Sequence, residues 1–186
     1  MKSPILIGIT GASGGIYAYN LVKKLIDLGK NVELIVTKTG EAVLKHESMS
    51  KLLDFNLKRY KIEDFFAKPA SGSSLYYAMV IVPSSMGTIG RIANGTADNL
   101  LVRSADVFLK EKRKLIIVAR EAPYNAIHLE NMLKLNRAGA TIIPASPSFY
   151  TKPQTIDDLV NTVVERIISQ LFPDAPGIKH WPLNDN

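Results

Sequence analysis

Residues 5–15, Ile-Leu-Ile-Gly-Ile-Thr-Gly-Ala-Ser-Gly-Gly, constrain this chain more than any other stretch. A short apolar run breaks into small, flexible residues. Residues 16–28 then show helical spacing, with apolar side chains at Leu21, Val22, Leu25, Ile26 and Leu28. The order is strand, glycine-rich turn, helix. Such a turn aims free backbone N–H groups and the positive end of a helix at one point, which makes a ready anion site. A side chain on the glycines would hold a phosphate away. The expectation is that this turn holds the phosphate of a cofactor; the alternative is a tight turn that only packs helix on strand.

Two other chemistries use similar residues. Gly11-Ala12-Ser13-Gly14-Gly15 matches the nucleophile elbow of serine hydrolases. That serine belongs late in a larger sheet and is followed by an acid and then a histidine, whereas Ser13 follows the first strand of a short chain. Thr10 to Ile16 nearly matches the turn of short-chain dehydrogenases, but their next glycine is Tyr17 here. A dinucleotide site also wants an acid at the end of the second strand for the ribose hydroxyls. The second strand, residues 31–37, ends in Thr37 and Lys38, a hydroxyl and a cation better suited to phosphate or a flavin edge. The one Tyr-x-x-x-Lys match, Tyr19 to Lys23, lies inside the first helix.

The remaining chain continues the alternation. Residues 39–46 read as a helix, followed by Glu47. Residues 48–68 hold a short helix at best, with Phe55, Phe65 and Phe66 expected to pack, and residues 69–74 form a small-residue loop. A third strand at 78–82 ends in Pro83-Ser84-Ser85-Met86-Gly87-Thr88, a second small, hydroxyl-rich turn entering a helix. Two such turns after two strands of one parallel sheet converge at its carboxyl edge, where ligands of open α/β sheets bind. Residues 94–99 break that helix and 99–110 resume it. Arg103 and Lys110, seven residues apart, share a helix face, as two surface cations or as two cations lining one anionic pocket. The strand at 115–119 ends in Arg120-Glu121-Ala122-Pro123, a functional position or a local surface ion pair. The helix at 127–138 has Leu129, Met132, Leu133 and Leu135 as candidate core, and His128 near its start reads as a cap or packing residue. A fifth strand spans 140–144, and Pro147-Ser148-Phe149-Tyr150 follows in a loop. Thr155 and Asp158 have capping-box spacing at the start of the last long helix, which carries Arg166. Trp181 is expected to dock on the body or on a neighbouring subunit.

This pattern predicts one α/β domain over residues 1–186: a Rossmann-like, flavoprotein-like open parallel sheet with helices on both faces. Residues 1–171 form the core and 172–186 an extended tail. A length of 186 residues suits one sizeable core. The absence of cysteine excludes disulfides, thiolate metal sites and a cysteine nucleophile, and fits a cytoplasmic setting. No stretch is long and apolar enough to span a membrane. The net charge of +6 is scattered except at residues 110–114, where a solvated helix end explains it better than nucleic acid, and phosphorylated small molecules would also suit a basic site.

Five motifs in order, Gly11-Ala12-Ser13-Gly14, Pro69-Ala70-Ser71-Gly72-Ser73, Pro83-Ser84-Ser85-Met86-Gly87-Thr88, Arg120-Glu121-Ala122-Pro123 and Ile127-His128-Leu129-Glu130-Asn131-Met132, resemble the flavin prenyltransferase family, formerly labelled aromatic-acid decarboxylases. The resemblance covers residues 5–166. One departure is Ser84, where many members have cysteine. The resemblance implies transfer of a dimethylallyl group from dimethylallyl phosphate to N5 and C6 of reduced flavin mononucleotide (FMN), without a metal. The prenylated FMN would serve a separate partner decarboxylase of the UbiD type, in ubiquinone biosynthesis or aromatic-acid decarboxylation. It further implies a homo-oligomer, a dodecamer built from trimers, with sites at subunit boundaries and contacts expected from the loop 69–74 and the tail near Trp181.

Carried over by position, Gly11, Ala12, Ser13, Thr37, Ser85, Met86, Gly87, Thr88, Arg103 and Arg120 are implied to contact the flavin. Lys110, Tyr150 and Arg166 are implied to bind the donor's phosphate. Ser13, Glu47, Glu121 and Lys110 are implied to be catalytic, Ser13 relaying a proton and the two glutamates assisting proton movement. Ionising an allyl phosphate needs cations on the leaving oxygens, and closing a ring at C6 needs a base. Two alternatives share the fold. An FMN-dependent decarboxylase of peptidyl or pantothenoyl cysteine would carry an early catalytic histidine and a Pro-Ala-Ser-Ala-Asn-Thr motif, but the turn at 83–88 lacks the Asn and His46 has no matching context. A non-catalytic flavin carrier would leave Lys110, Tyr150, Arg166 and Glu121 without a shared task.

Overall fold

Parallel strands that are apolar along their whole length need cover on both faces, and this sheet has it. The computed structural model describes residues 3–174. Six parallel strands, β1 (Ile5–Ile9), β2 (Val32–Val36), β3 (Lys58–Tyr60), β4 (Ala78–Ser84), β5 (Lys114–Ala119) and β6 (Thr141–Pro144), pair in the order β3-β2-β1-β4-β5-β6. The helices are α1 (Gly15–Asp27), α2 (Lys38–His46), α3 (Met86–Ala93), α4 (Leu100–Lys110), α5 (Ala126–Arg137) and α6 (Ile156–Leu171). Alternate side chains of each strand feed two cores. Ile5, Ile7, Ile9, Val80 and Val82 meet α1 and α6 on one face. Leu6, Met79, Ile81 and Ile117 meet α3 and α4 on the other. The chain leaves β1 toward β2 and returns to lay β4 on the opposite side, so the strand order reverses between β1 and β4. A crevice opens there at the carboxyl edge.

Side-chain caps set most helix starts. Thr37, Ser85, Asn99, Asn125 and Thr155 each accept a hydrogen bond from a backbone N–H in the first turn of the helix that follows. The Thr155–Asp158 capping box forms as its spacing predicts, with bonds of 3.0 and 3.1 Å. His128 is a cap residue: its Nδ1 accepts from the Asn125 N–H and its own N–H donates to Asn125 Oδ1. Among the described residues, no helix is long and apolar enough to cross a membrane.

Three expectations need correction. Residues 48–68 contain a sixth strand, β3, as well as a 3-10 turn at Ser50–Asp54. Of the phenylalanines in that region, Phe55 stacks on Tyr19 with ring centroids 5.7 Å apart, whereas Phe66 is fully exposed and Phe65 is 44% exposed. On α5 only Leu135 is fully buried. Leu129 and Leu133 are about half exposed, because α5 lies against α3 and β6 along a single row of side chains. Trp181 lies outside the described residues.

Candidate active site

Three helix starts meet at the crevice. Thr10, buried at the end of β1, ties the first turn to the turn after β4: its Oγ1 donates to the Pro83 carbonyl at 2.8 Å and accepts from the Ser85 N–H at 2.9 Å. The first turn also rests on the start of α2. A Cβ on Gly11 would lie 2.7 Å from the Thr39 Cβ, so only glycine lets the two segments approach this closely.

The anion site that the first turn creates is filled from within. The Glu47 carboxylate, just past the end of α2, accepts from the Gly14 N–H at 3.0 Å and from the Gly15 N–H at 2.7 Å. Ser13 hydrogen-bonds to the same carboxylate. Two of the amides in the turn expected to hold a cofactor phosphate are thus taken by a carboxylate of the chain itself. A carboxylate at a helix start is stabilised by the same donors and dipole that would serve a phosphate. Burial alone would raise the Glu47 pKa. The bonds from Ser13, Gly15 and Gly14 and the charge of Arg120 outweigh it and hold the carboxyl below its ordinary value. Glu47 is therefore ionised at neutral pH, facing an exposed Ser13 hydroxyl.

The second turn is finished differently. Ser85 Oγ accepts from the Thr88 N–H at 3.3 Å and lies 3.1 Å from Thr88 Oγ1. Among the described residues the Met86 and Gly87 amides make no bond inside the chain, and Gly87 is exposed. Ser84 Oγ, beside them, is buried and, among the described residues, without a partner. At the neighbouring start of α2, Thr37 Oγ1 accepts from Gly40 N–H at 3.0 Å and lies 3.2 Å from Thr39 Oγ1. Hydroxyls and free amides, with Arg120 at the end of β5, form a donor set suited to a phosphate ester and a polar ring such as FMN.

The cations divide by position. Arg120 is exposed, its N–H donates to the Ser84 carbonyl at 3.1 Å, and its charge reaches Glu47 and Tyr17. It makes no ion pair with Glu121, whose carboxylate instead accepts from the Ala122 N–H at 3.0 Å. Arg103 lies in the first turn of α4 and pairs with Asp106 at 2.9 Å. Lys110 ends the same helix and pairs with Glu111. The two therefore form separate local pairs about 10 Å apart along the axis rather than one pocket. Lys110 is also at the wrong end of the sheet for the first turn. It precedes the start of β5, where Lys114 pairs with Ala78, and a six-residue strand separates that edge from Arg120 by roughly 20 Å. Tyr150 and Arg166, in contrast, line one cleft of about 530 Å³ along the free edge of β6, with Thr141, Ser148 and Gln170. Two of the three residues assigned to the donor's phosphate thus come together, and Lys110 stands apart from them.

Sequence reasoning missed Thr10, Thr39 and Tyr17. Tyr17 is partly buried within reach of the Arg120 charge, and burial raises its pKa. In the sequence it figured only as the residue that breaks a dehydrogenase glycine pattern. A threonine between an apolar strand and a glycine is a readable signal, since a hydroxyl at a strand end bridges turns readily.

Residues 1–168 match the protein family described as Flavoprotein. Flavin prenyltransferase UbiX of Methanocaldococcus jannaschii is 45% identical over 185 residues, covering 95% of this chain and 97% of that protein. The crystal structure of AnUbiX (PadA1) in complex with FMN and dimethylallyl pyrophosphate superposes with a TM-score of 0.90 at 36% identity, covering 98% of this chain and 99% of the other. A dodecameric FMN-dependent UbiX-like decarboxylase from Escherichia coli O157:H7 gives 0.88 at 35% identity, covering 97% and 100%.

Proposed function

This chain belongs to the flavin prenyltransferase family and is an enzyme of prenyl transfer acting on FMN, and from that premise we propose how its residues divide the work. The observation that carries the proposal is the Ser13–Glu47 couple, an ionised carboxylate fixed on two backbone amides at the switch point of the sheet. Reduced FMN supplies the electron-rich ring that receives a dimethylallyl group at N5 and C6. Gly11, Ala12, Thr37, the run from Ser85 through Met86 and Gly87 to Thr88, Arg103 and Arg120 hold and orient it. Ser13 relays a proton at the ring, and Glu47 accepts it through their hydrogen bond. Glu121, exposed at the end of β5, assists proton removal at ring closure.

Tyr150 and Arg166 receive the phosphate of dimethylallyl phosphate, and their positive and hydroxyl groups stabilise charge on the leaving oxygens without a metal. Lys110 joins them from a neighbouring copy, because within one chain it ends α4, which packs on the opposite face of the sheet from the α6 that carries Arg166. A homo-oligomer, a dodecamer as in the E. coli relative, provides that arrangement. Exposed apolar groups at separate places fit such assembly: Phe66 and Leu75 on the crossover before β4, and Ile127, Leu129 and Leu133 on α5. The cysteine-free sequence suits a cytoplasmic setting, and prenylated FMN passes to a UbiD-type decarboxylase.

Anaerobic incubation of the purified protein with reduced FMN and dimethylallyl phosphate, followed by mass spectrometry of the flavin, tests the reading. A flavin heavier by one five-carbon prenyl unit is expected. Tight binding of an unmodified flavin would overturn it in favour of a flavin carrier or decarboxylase.

A further inference from the structure

Lys110 does not wave freely at the end of α4. The crossover from β3 to β4 is laid against it. A Cβ built on Gly72 would lie 2.5 Å from Glu111 Oε1 and 2.7 Å from Lys110 Nζ, so the Gly72 backbone forms the floor under that ion pair. Arg113 donates through Nη2 to the Gly72 carbonyl and fixes the floor in place, while its guanidinium lies 6.0 Å from the Phe108 ring centroid.

The crossover is itself anchored at both ends to one carboxylate. Glu33, in β2 and only 7% exposed, accepts from Tyr60 Oη at 2.9 Å and from Tyr76 Oη at 2.5 Å, with Lys68 Nζ at 3.8 Å. Ser74 Oγ donates to the Lys68 carbonyl at 2.5 Å. Tyr76 packs on Phe108 with ring centroids 5.9 Å apart, and its hydroxyl pKa is raised, first by burial and then by its bond to Glu33. A buried carboxylate is an expensive way to hold a loop. A segment that only had to connect two strands would not need it.

We propose that Gly72 and Glu111 are positioning residues for Lys110. Gly72 leaves the space that the ammonium occupies. Glu111 keeps the lysine extended along the surface until the phosphate of the prenyl donor, bound in a neighbouring copy, replaces it as counter-ion. The proposal rests on the reading of Lys110 as a ligand of that phosphate.

The test uses the full-length assembled protein loaded with reduced FMN. Steady-state kinetics in dimethylallyl phosphate would compare wild type, Lys110→Ala, Gly72→Ala, Glu111→Gln and the Gly72→Ala/Lys110→Ala double variant. Gly72 has no left-handed backbone, and an added methyl meets only the ends of flexible side chains, so Gly72→Ala should fold and bind FMN as wild type does. Its KM for the prenyl phosphate should rise about tenfold with kcat nearly unchanged, and Glu111→Gln should raise KM about threefold or more. In the Lys110→Ala background Gly72→Ala should add nothing further. If Lys110→Ala leaves KM unchanged, the reading of Lys110 is wrong. If Lys110→Ala raises KM but neither Gly72→Ala nor Glu111→Gln does, or if the Gly72→Ala effect persists without Lys110, the positioning role is wrong while that reading stands.

Discussion

The turns after β1 and β4 are built from the same kinds of residue and open on the same crevice, yet they end in opposite states. The first presents its Gly14 and Gly15 amides to a carboxylate that the chain delivers itself, 33 residues further on. The second caps its helix with its own Ser85 and leaves the Met86 and Gly87 amides without a partner among the described residues. A glycine-rich turn is a socket, and its occupant depends on what the rest of the fold brings there. Charge-assisted hydrogen bonds of this kind are worth about 1.5–3 kcal/mol each, and a phosphate that took these amides would leave the Glu47 carboxylate without them. On the proposed division the Gly14 and Gly15 amides serve the proton-transfer carboxylate, and Gly11 and Ala12 join the second turn and the start of α2 in holding the flavin.

The comparison breaks most visibly at Ser13. Ser13→Ala should lower the rate of prenyl transfer by about a hundredfold or more, the usual scale for losing a proton relay, while FMN still binds, as a flavin titration beside the mass assay would show. Loss of FMN binding would make Ser13 a flavin-holding residue rather than a relay. Thr10→Val should harm both turns at once. It takes the acceptor from the partly buried Ser85 N–H and leaves the Pro83 carbonyl with only the bond from the Thr10 N–H, for about 1–3 kcal/mol of stability by thermal or denaturant unfolding. An unchanged unfolding curve would mean that the Thr10 hydroxyl adds nothing to the backbone bond from the Thr10 N–H to the Pro83 carbonyl.

Ser85→Ala sharpens the other side. It removes the α3 cap, worth about 1 kcal/mol, and should weaken FMN several-fold while leaving kcat at saturating FMN close to wild type. A kcat loss with unaltered FMN affinity would reverse the division. The smallest effect is in acid. Glu47 titrates below its ordinary value, so its contribution to stability is fully present above about pH 4.5. That contribution is lost as pH falls through the lower, folded-state value. Glu47 should therefore produce no inflection in activity or stability between pH 6 and 8, and an inflection there that Glu47→Gln removes would contradict the assignment.

The parts of this fold that were legible carry their pattern locally. β1 is five consecutive buried residues, and α1 repeats apolar residues at helical spacing. The caps at Thr155 and His128 need only three residues of spacing. β3 was illegible because Lys58-Arg59-Tyr60 has no apolar run; it is a strand because β2 offers it a partner, Glu33 opposite Lys58. The spacing of Leu129 and Leu133 places them among the apolar residues of one helix but says nothing of whether another element covers them. The site shows the same limit. Ser13 and Ser85 lie in turns that announce themselves, whereas the Glu47 contact is a meeting across 33 residues that no local pattern records. Lys110, Tyr150 and Arg166 form one group by resemblance, and only the packing of α4 and α6 on opposite faces of the sheet shows that Lys110 stands apart.

The most direct test of the division is the FMN dissociation constant of Glu47→Gln, measured together with its single-turnover rate of prenyl transfer. Glutamine keeps the shape and an oxygen acceptor for the Gly14 and Gly15 amides but cannot take a proton. An affinity within about threefold of wild type with a rate down by about a hundredfold is the predicted result. A variant that loses FMN while its residual bound fraction reacts at the wild-type rate would place the flavin, and not the proton, at the first turn.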